Sequence, residues 1–225
     1  MRYYPMFVSL EGRACLVVGA GQVGLRKLLS LAECGATPLT VIERRESDEA
    51  LRELGSRPGV RILRRDFAES DLDGVFLVIA ATSDAALNQR IGTLCRERGI
   101  LCNMVNAPDQ GSFIVPSSVV RGDLTLAIST SGQSPALTKR IRKDLQDQFG
   151  EEYARFLTVM SRLRPRVLAQ GGQTEANSAL FRRLVGSRLL EALRTGDRPL
   201  AEAELSVQLP AALHHLIPEL LNGLA

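Results

Sequence analysis

Gly19, Gly21 and Gly24 stand at the spacing G-x-G-x-x-G, directly behind the apolar run Ala14 to Gly19 and at the opening of a segment with helical periodicity. Around a pyrophosphate each of these glycines has a mechanical task. The first permits a tight turn, the second lets the phosphates approach the backbone, and the third lets helix and strand pack closely. The helix start adds unpaired N–H groups and the positive end of its dipole. Glu43 follows 19 residues after Gly24, at the end of the next apolar run, where an acid can take up ribose hydroxyls. Gly19, Gly21, Gln22, Val23 and Gly24, with Glu43 and Thr82, therefore form the candidate cofactor set. A carboxylate at position 43 repels a 2′-phosphate by ~1 kcal/mol at about 4 Å in water and by ~4 kcal/mol at an effective dielectric of 20. Arg44 and Arg45 follow immediately, and two readings stand for them: charges that offset that repulsion, or solvated charges on a loop. NAD is expected in preference to NADP.

A second group lies in "STSGQSPALTKRIRK". Ser134 has the type of a helix N-cap and Pro135 suits the first helical position. Lys139, Arg140, Arg142 and Lys143 surround that helix start with positive charge, while Leu137, Ile141, Leu145 and Phe149 recur every four residues and make an apolar stripe. Two readings stand: an ordinary capped, solvated basic helix, or an anion site for a ligand with several carboxylates. In the second reading Ser129, Thr130, Ser131, Gly132, Ser134, Lys139 and Arg140 are the candidate binding residues.

The surrounding pattern is that of alternating strands and helices. Apolar runs at 14–19, 38–43, 60–63, 75–81 and 100–106 show little alternation and are separated by helix-length segments. Such runs predict a parallel sheet covered on both faces, a doubly wound α/β domain of the Rossmann type over residues 1–111. A helix is expected from about Asp84 to Arg98, with Thr82 or Ser83 as its cap. Residues 112–130 read as strand around a turn at Arg121-Gly122-Asp123, and a helix starts at Ser134-Pro135. From Glu151 nearly everything reads as helix, broken at Pro165, at 169–174 and at 194–199. The stretch 177–194 reads as one amphipathic helix, with Leu180, Leu184, Leu189, Leu190 and Leu193 on its buried face.

A chain of 225 residues that is 45% hydrophobic and 24% charged has ample material for a folded core. Its net charge of +3 is too small to argue for nucleic acid. The four cysteines, at 15, 34, 95 and 102, lack metal-ligand spacing and read as buried free thiols. His214 and His215 read as surface residues of the last helix, and no metal site is expected. The chain lacks a signal-peptide pattern and a membrane-length apolar run, so a cytoplasmic protein without nucleic-acid or membrane partners is expected.

Four motifs in order, "GAGQVGLRK", "IAATSDAALNQRI", "CNMVNAPDQGSFIVPS" and "LAISTSGQSPALTKRIRKDL", closely resemble the precorrin-2 dehydrogenases. These comprise the N-terminal module of sirohaem synthase and its stand-alone relatives. The likeness spans Tyr4 to Phe149; the helical tail is similar in character only. The resemblance implies an NAD-binding domain, a small α+β dimerisation and substrate segment over 112–149, and a helical C-terminal domain over 150–225. It implies a homodimer, and the oxidation of the tetrapyrrole precorrin-2 to sirohydrochlorin with NAD accepting hydride. Bifunctional relatives carry an aspartate, implicated in catalysis and iron insertion, where this chain has Asn106; Asp109 lies close enough in sequence to substitute. Asn106 and Asp109 are thus the candidate catalytic residues, and chelatase activity is expected to be weak or absent. Thr130 stands where some relatives carry a phosphorylated serine. Two alternatives are a non-catalytic NAD(H) sensor, which has no use for a polyanion site, and a hydroxy-acid or amino-acid dehydrogenase, for which the first domain offers no histidine base.

Overall fold

The computed structural model describes residues 3–45, 49–171 and 174–224. They fall into two compact units, Met1–Val115 and Pro116–Ala225.

The first unit is built on β1 (Cys15–Val18), α1 (Gln22–Glu33), β2 (Leu39–Ile42), α2 (Glu49–Gly55), β3 (Val60–Leu63), β4 (Leu77–Ala80), α3 (Ala85–Glu97) and β5 (Leu101–Met104). The strands form one parallel five-stranded sheet in the order β3-β2-β1-β4-β5. Every residue of β1 and β4 is buried, which is why their sequences show no alternation. Cys15 and Val17 of β1 join one core layer with Leu28 and Leu31 of α1 and Leu51 and Leu54 of α2. Leu16 and Val18 point the other way, to Ile91 and Cys95 of α3. Helices thus cover both faces, and the strand order reverses between β1 and β4. In such sheets the crevice for a ligand opens at that switch point, beyond the carboxyl ends of the strands.

The second unit holds a two-stranded antiparallel hairpin, β6 (Ser117–Arg121) and β7 (Leu124–Ile128), closed by Gly122-Asp123 with Gly122 at φ +56°. Helix α4 (Pro135–Gln148) packs on it, and Arg121 donates from Nε to the Phe149 carbonyl at 2.9 Å, placing a cation at the end of that helix. Helices α5 (Glu152–Ala169), α6 (Thr174–Val185), α7 (Leu189–Thr195), α8 (Arg198–Gln208) and α9 (Ile217–Leu220) share a separate apolar core. Among the described residues no helix is long and apolar enough to cross a membrane.

Five expectations need correction. Pro165 does not end a helix but lies inside α5. A proline there removes a hydrogen bond and costs roughly 3 kcal/mol, yet the stripe Phe156, Val159, Leu163 and Val167 is buried along the whole helix and holds it continuous. The stretch 177–194 is two helices, because the step from Leu184 to Leu189 is too long for one stripe and the chain turns at 186–188. There the Ser187 hydroxyl donates to the Leu184 carbonyl and accepts the Leu189 N–H. Cys34 is exposed just beyond the end of α1, whereas the other cysteines are buried. The cap of α3 is Asp84, whose carboxylate accepts the Leu87 N–H at 3.0 Å. His214 and His215 are exposed as expected, but on a 3-10 turn (Ala211–Leu216) ahead of the last helix.

Candidate functional site

A cleft of about 350 Å³ opens at the carboxyl ends of the central strands of the first unit. It is lined by Gly19, Gly21, Gln22 and Val23 from the turn into α1, by Glu43 to Arg45 after β2, and by Ala81 to Asp84 after β4.

The three glycines are there for different reasons. Gly19 has φ +90°, and a Cβ on it would stand 2.7 Å from the Ala81 carbonyl oxygen. A Cβ on Gly24 would stand 2.0 Å from the Gly19 carbonyl oxygen, so Gly24 lies behind the loop and sets the approach of α1 to β1. Gly21 is different. Its backbone is extended, at φ −62° and ψ −178°, which any residue adopts, and a Cβ there would meet nothing within 4 Å. The protein's own packing does not require glycine at position 21. The space beside it is open to a group approaching from outside, and the following Gln22 and Val23 N–H groups open α1 without intrahelical acceptors. This cradle fits a dinucleotide pyrophosphate.

Glu43 serves the loop directly. Its carboxylate accepts the Ala20 N–H at 2.6 Å and the Arg45 N–H at 3.0 Å, tying the glycine turn to the end of β2. Burial raises its pKa, but these backbone hydrogen bonds and the Arg45 charge outweigh that, leaving it below the ordinary glutamate value and ionised at neutral pH. Two of the nearby cations are engaged elsewhere: Arg44 lies 3.5 Å from Asp66, and Arg65 grips Asp71 with two nitrogens, while the Arg45 charge acts on Glu43 itself.

Thr82 and Asn106 are joined by a residue that the sequence reading passed over. Asn88 of α3 is fully buried. Its Oδ1 accepts the Thr82 N–H at 3.2 Å and the Thr82 hydroxyl at 2.8 Å; its Nδ2 donates to the Thr82 carbonyl at 3.0 Å and to Asn106 Oδ1 at 2.8 Å. The signal was present. Asn88 is a polar side chain in the stripe it shares with Ile91, Gly92 and Cys95. Asp109 sits exposed on a short 3-10 turn after β5 (Pro108–Gln110).

The second candidate group lies in the second unit. Most of its hydroxyls are engaged in building the turn before α4. Ser134 Oγ accepts the Leu137 N–H, Thr130 Oγ1 accepts the Ser134 N–H and lies 3.1 Å from Thr138 Oγ1, and Ser129 Oγ accepts the Ser131 N–H. Ser131 and Gly132 both take positive φ there. Lys139 and Arg140 are exposed, Arg140 within 3.9 Å of Asp144. Of the apolar stripe, Leu137 is 48% exposed and Ile141, Leu145 and Phe149 are half-buried.

Residues 6–117 match a family model for NAD(P)-binding domains, and residues 121–148 match the model described as sirohaem biosynthesis protein, central. Sirohaem synthase of Thioalkalivibrio sulfidiphilus is 35% identical over 213 residues, covering 95% of this chain and 43% of that protein. Its counterpart from Nitrosococcus oceani is 30% identical over 209 residues, 93% of this chain and 44% of that protein. The chain therefore spans less than half the length of these relatives. The solved structure of SirC, a precorrin-2 dehydrogenase, superposes with a TM-score of 0.69 at 31% identity, over 79% of this chain and 87% of that one. With the cofactor cradle intact and that likeness running through both units, the chain belongs to the precorrin-2 dehydrogenase family, which takes in the corresponding part of the sirohaem synthases.

Proposed function

We propose that this protein is an NAD-dependent precorrin-2 dehydrogenase that produces sirohydrochlorin. The observation that carries the reading is the likeness to SirC over most of both chains, joined to a glycine cradle whose middle member, Gly21, has no reason internal to the fold.

The reaction removes two electrons and two protons from the macrocycle. NAD⁺, when bound, supplies the acceptor for a hydride, and the second hydrogen leaves as a proton. The chain's task is to hold and orient. Gly21 and the α1 N-terminus receive the phosphates, and Glu43, ionised and fixed by two backbone N–H groups, receives ribose hydroxyls. Asn106 cannot take up a proton in the neutral range, so it is not the general base. Extended conjugation in the product favours proton loss to solvent without a strong base.

The start of α4, with Lys139 and Arg140 exposed beside the Ser134 cap, is read as the binding surface for the substrate's carboxylates. The working form is read as a homodimer, supported by the exposed Leu137 and by Val120, 52% exposed on the outer face of β6. Titration with sirohydrochlorin in the presence of NAD separates this function from a cofactor sensor. The enzyme reading predicts saturable tetrapyrrole binding that weakens with salt and is lost in a Lys139→Ala/Arg140→Ala variant. Binding of NAD with no tetrapyrrole binding would favour the sensor.

A further inference from the structure

We propose that Asn88 is a positioning residue that locks the Asn106 amide with its NH2 group outward, so that residue 106 acts as a hydrogen-bond donor toward an oxygen of the bound substrate or cofactor. The inference rests on the dehydrogenase reading for its kinetic test, but not for its structural one.

The orientation follows from donor and acceptor types alone. The Thr82 N–H can only donate, so the Asn88 atom facing it at 3.2 Å must be the oxygen. The other end of the Asn88 amide is then NH2. One of its hydrogens goes to the Thr82 carbonyl, which can only accept, at 3.0 Å. The remaining hydrogen faces Asn106 at 2.8 Å, so Asn106 must present its own oxygen inward. With that oxygen engaged, the group left for the exposed side of Asn106 is NH2. Asn88 is fully buried and has its acceptor and both donors used, so reversing its amide would set two acceptors and two donors against each other. The direction of Asn106 is thus fixed from the buried end of the network.

The position favours a role in binding. Thr82 and Val105, the latter immediately before Asn106, both line the cofactor cleft. An outward NH2 suits a carboxylate of the tetrapyrrole or the carboxamide oxygen of the nicotinamide, both of which are oxygen acceptors.

Asn88→Asp tests the idea because it changes a single atom of the clamp. The introduced carboxylate can still accept from the Thr82 N–H, but its second oxygen then faces two acceptors, the Thr82 carbonyl and the inward oxygen of Asn106. Of these only the Asn106 amide can turn around, which leaves an acceptor outward. Four forms of the full chain are compared: wild type, Asn88→Asp, Asn106→Ala and the double variant. For each, kcat/KM for precorrin-2 at saturating NAD and the Kd for NADH by fluorescence are measured. Asn88→Asp and Asn106→Ala should each weaken the same parameter by about 10- to 100-fold, the loss of one hydrogen bond to a polar or charged oxygen. A loss in kcat/KM alone identifies the substrate as the acceptor, and a loss in NADH affinity identifies the cofactor. The double variant should be no worse than Asn106→Ala. Multiplying effects, or an Asn88→Asp variant within twofold of wild type, would overturn the proposal.

Side-chain amide NMR of the wild type reads the orientation without turnover and without any variant. The Asn88 NH2 protons should be protected from exchange and those of Asn106 should exchange freely, shifting when NAD or sirohydrochlorin is added. An Asn106 NH2 already protected in the free protein would refute the locked orientation, even if the dehydrogenase reading held. An inactive wild type with the expected amide signals would instead refute only the function.

Discussion

Replacing Gly21 by alanine should separate cofactor binding from folding. A Cβ at this position meets nothing within 4 Å, and the backbone there is already in a region open to alanine. Two opposing effects act on stability. Alanine is a poorer N-cap than glycine, a cost of roughly 0.5–1 kcal/mol, while it restricts the unfolded chain and returns about 0.4–1 kcal/mol. The net change should be within about 1 kcal/mol, or ~4 °C in Tm for a protein of this size. Binding should respond quite differently, because the added methyl occupies the space through which the pyrophosphate reaches the backbone. Losing one charge-assisted hydrogen bond costs about 1.5–3 kcal/mol, which raises the Kd for NAD by roughly 10- to 150-fold. Thermal melting and NADH fluorescence titration on the same preparation decide it. Gly24→Ala is the control, since its Cβ would meet the Gly19 carbonyl oxygen at 2.0 Å and should lower Tm markedly. A Gly21→Ala protein that binds NADH as tightly as wild type would refute the cradle, and one that melts far below wild type would show Gly21 to be a packing glycine.

Glu43 should enforce a preference for NAD over NADP in kcat/KM, and Glu43→Gln should narrow the gap by removing the charge facing a 2′-phosphate. A higher kcat/KM for NADP in the wild type would mean that Arg44 and Arg45 dominate, despite the ion pair that Arg44 makes with Asp66. For metal insertion, wild type should convert sirohydrochlorin weakly or not at all with Fe²⁺ or Co²⁺, and Asn106→Asp should gain activity. Wild-type chelation as fast as dehydrogenation would contradict this. Light scattering at micromolar concentration should give a dimer, and introducing charge at Leu137 and Val120 should shift it toward monomer; a monomeric wild type would exclude the dimer.

The glycine loop and the sheet around it were legible because their signals are local. Glycine spacing specifies a turn, and an uninterrupted apolar run specifies a strand buried on both sides, as β1 and β4 are. What escaped involves partners distant in the chain. Glu43 reaches the Ala20 N–H across 23 residues, and Asn88 reaches Asn106 across 18. Nothing in the type of either residue states which backbone group or amide it will meet. Pro165 misled because propensity is a local quantity, whereas α5 is held by burial along its whole length. The break at 186–188 does have a sequence signal, since the five-residue step from Leu184 to Leu189 is out of phase with a single helical face.

Anaerobic turnover tests the central claim most directly: the purified chain is mixed with precorrin-2 and NAD⁺, and NADH and sirohydrochlorin are followed together. The account predicts that both appear at the same rate, one NADH for each sirohydrochlorin, and that Gly21→Ala slows both in proportion to its weaker cofactor binding. NAD⁺ bound tightly with no NADH formed, or sirohydrochlorin formed at an undiminished rate without NAD⁺, would contradict it.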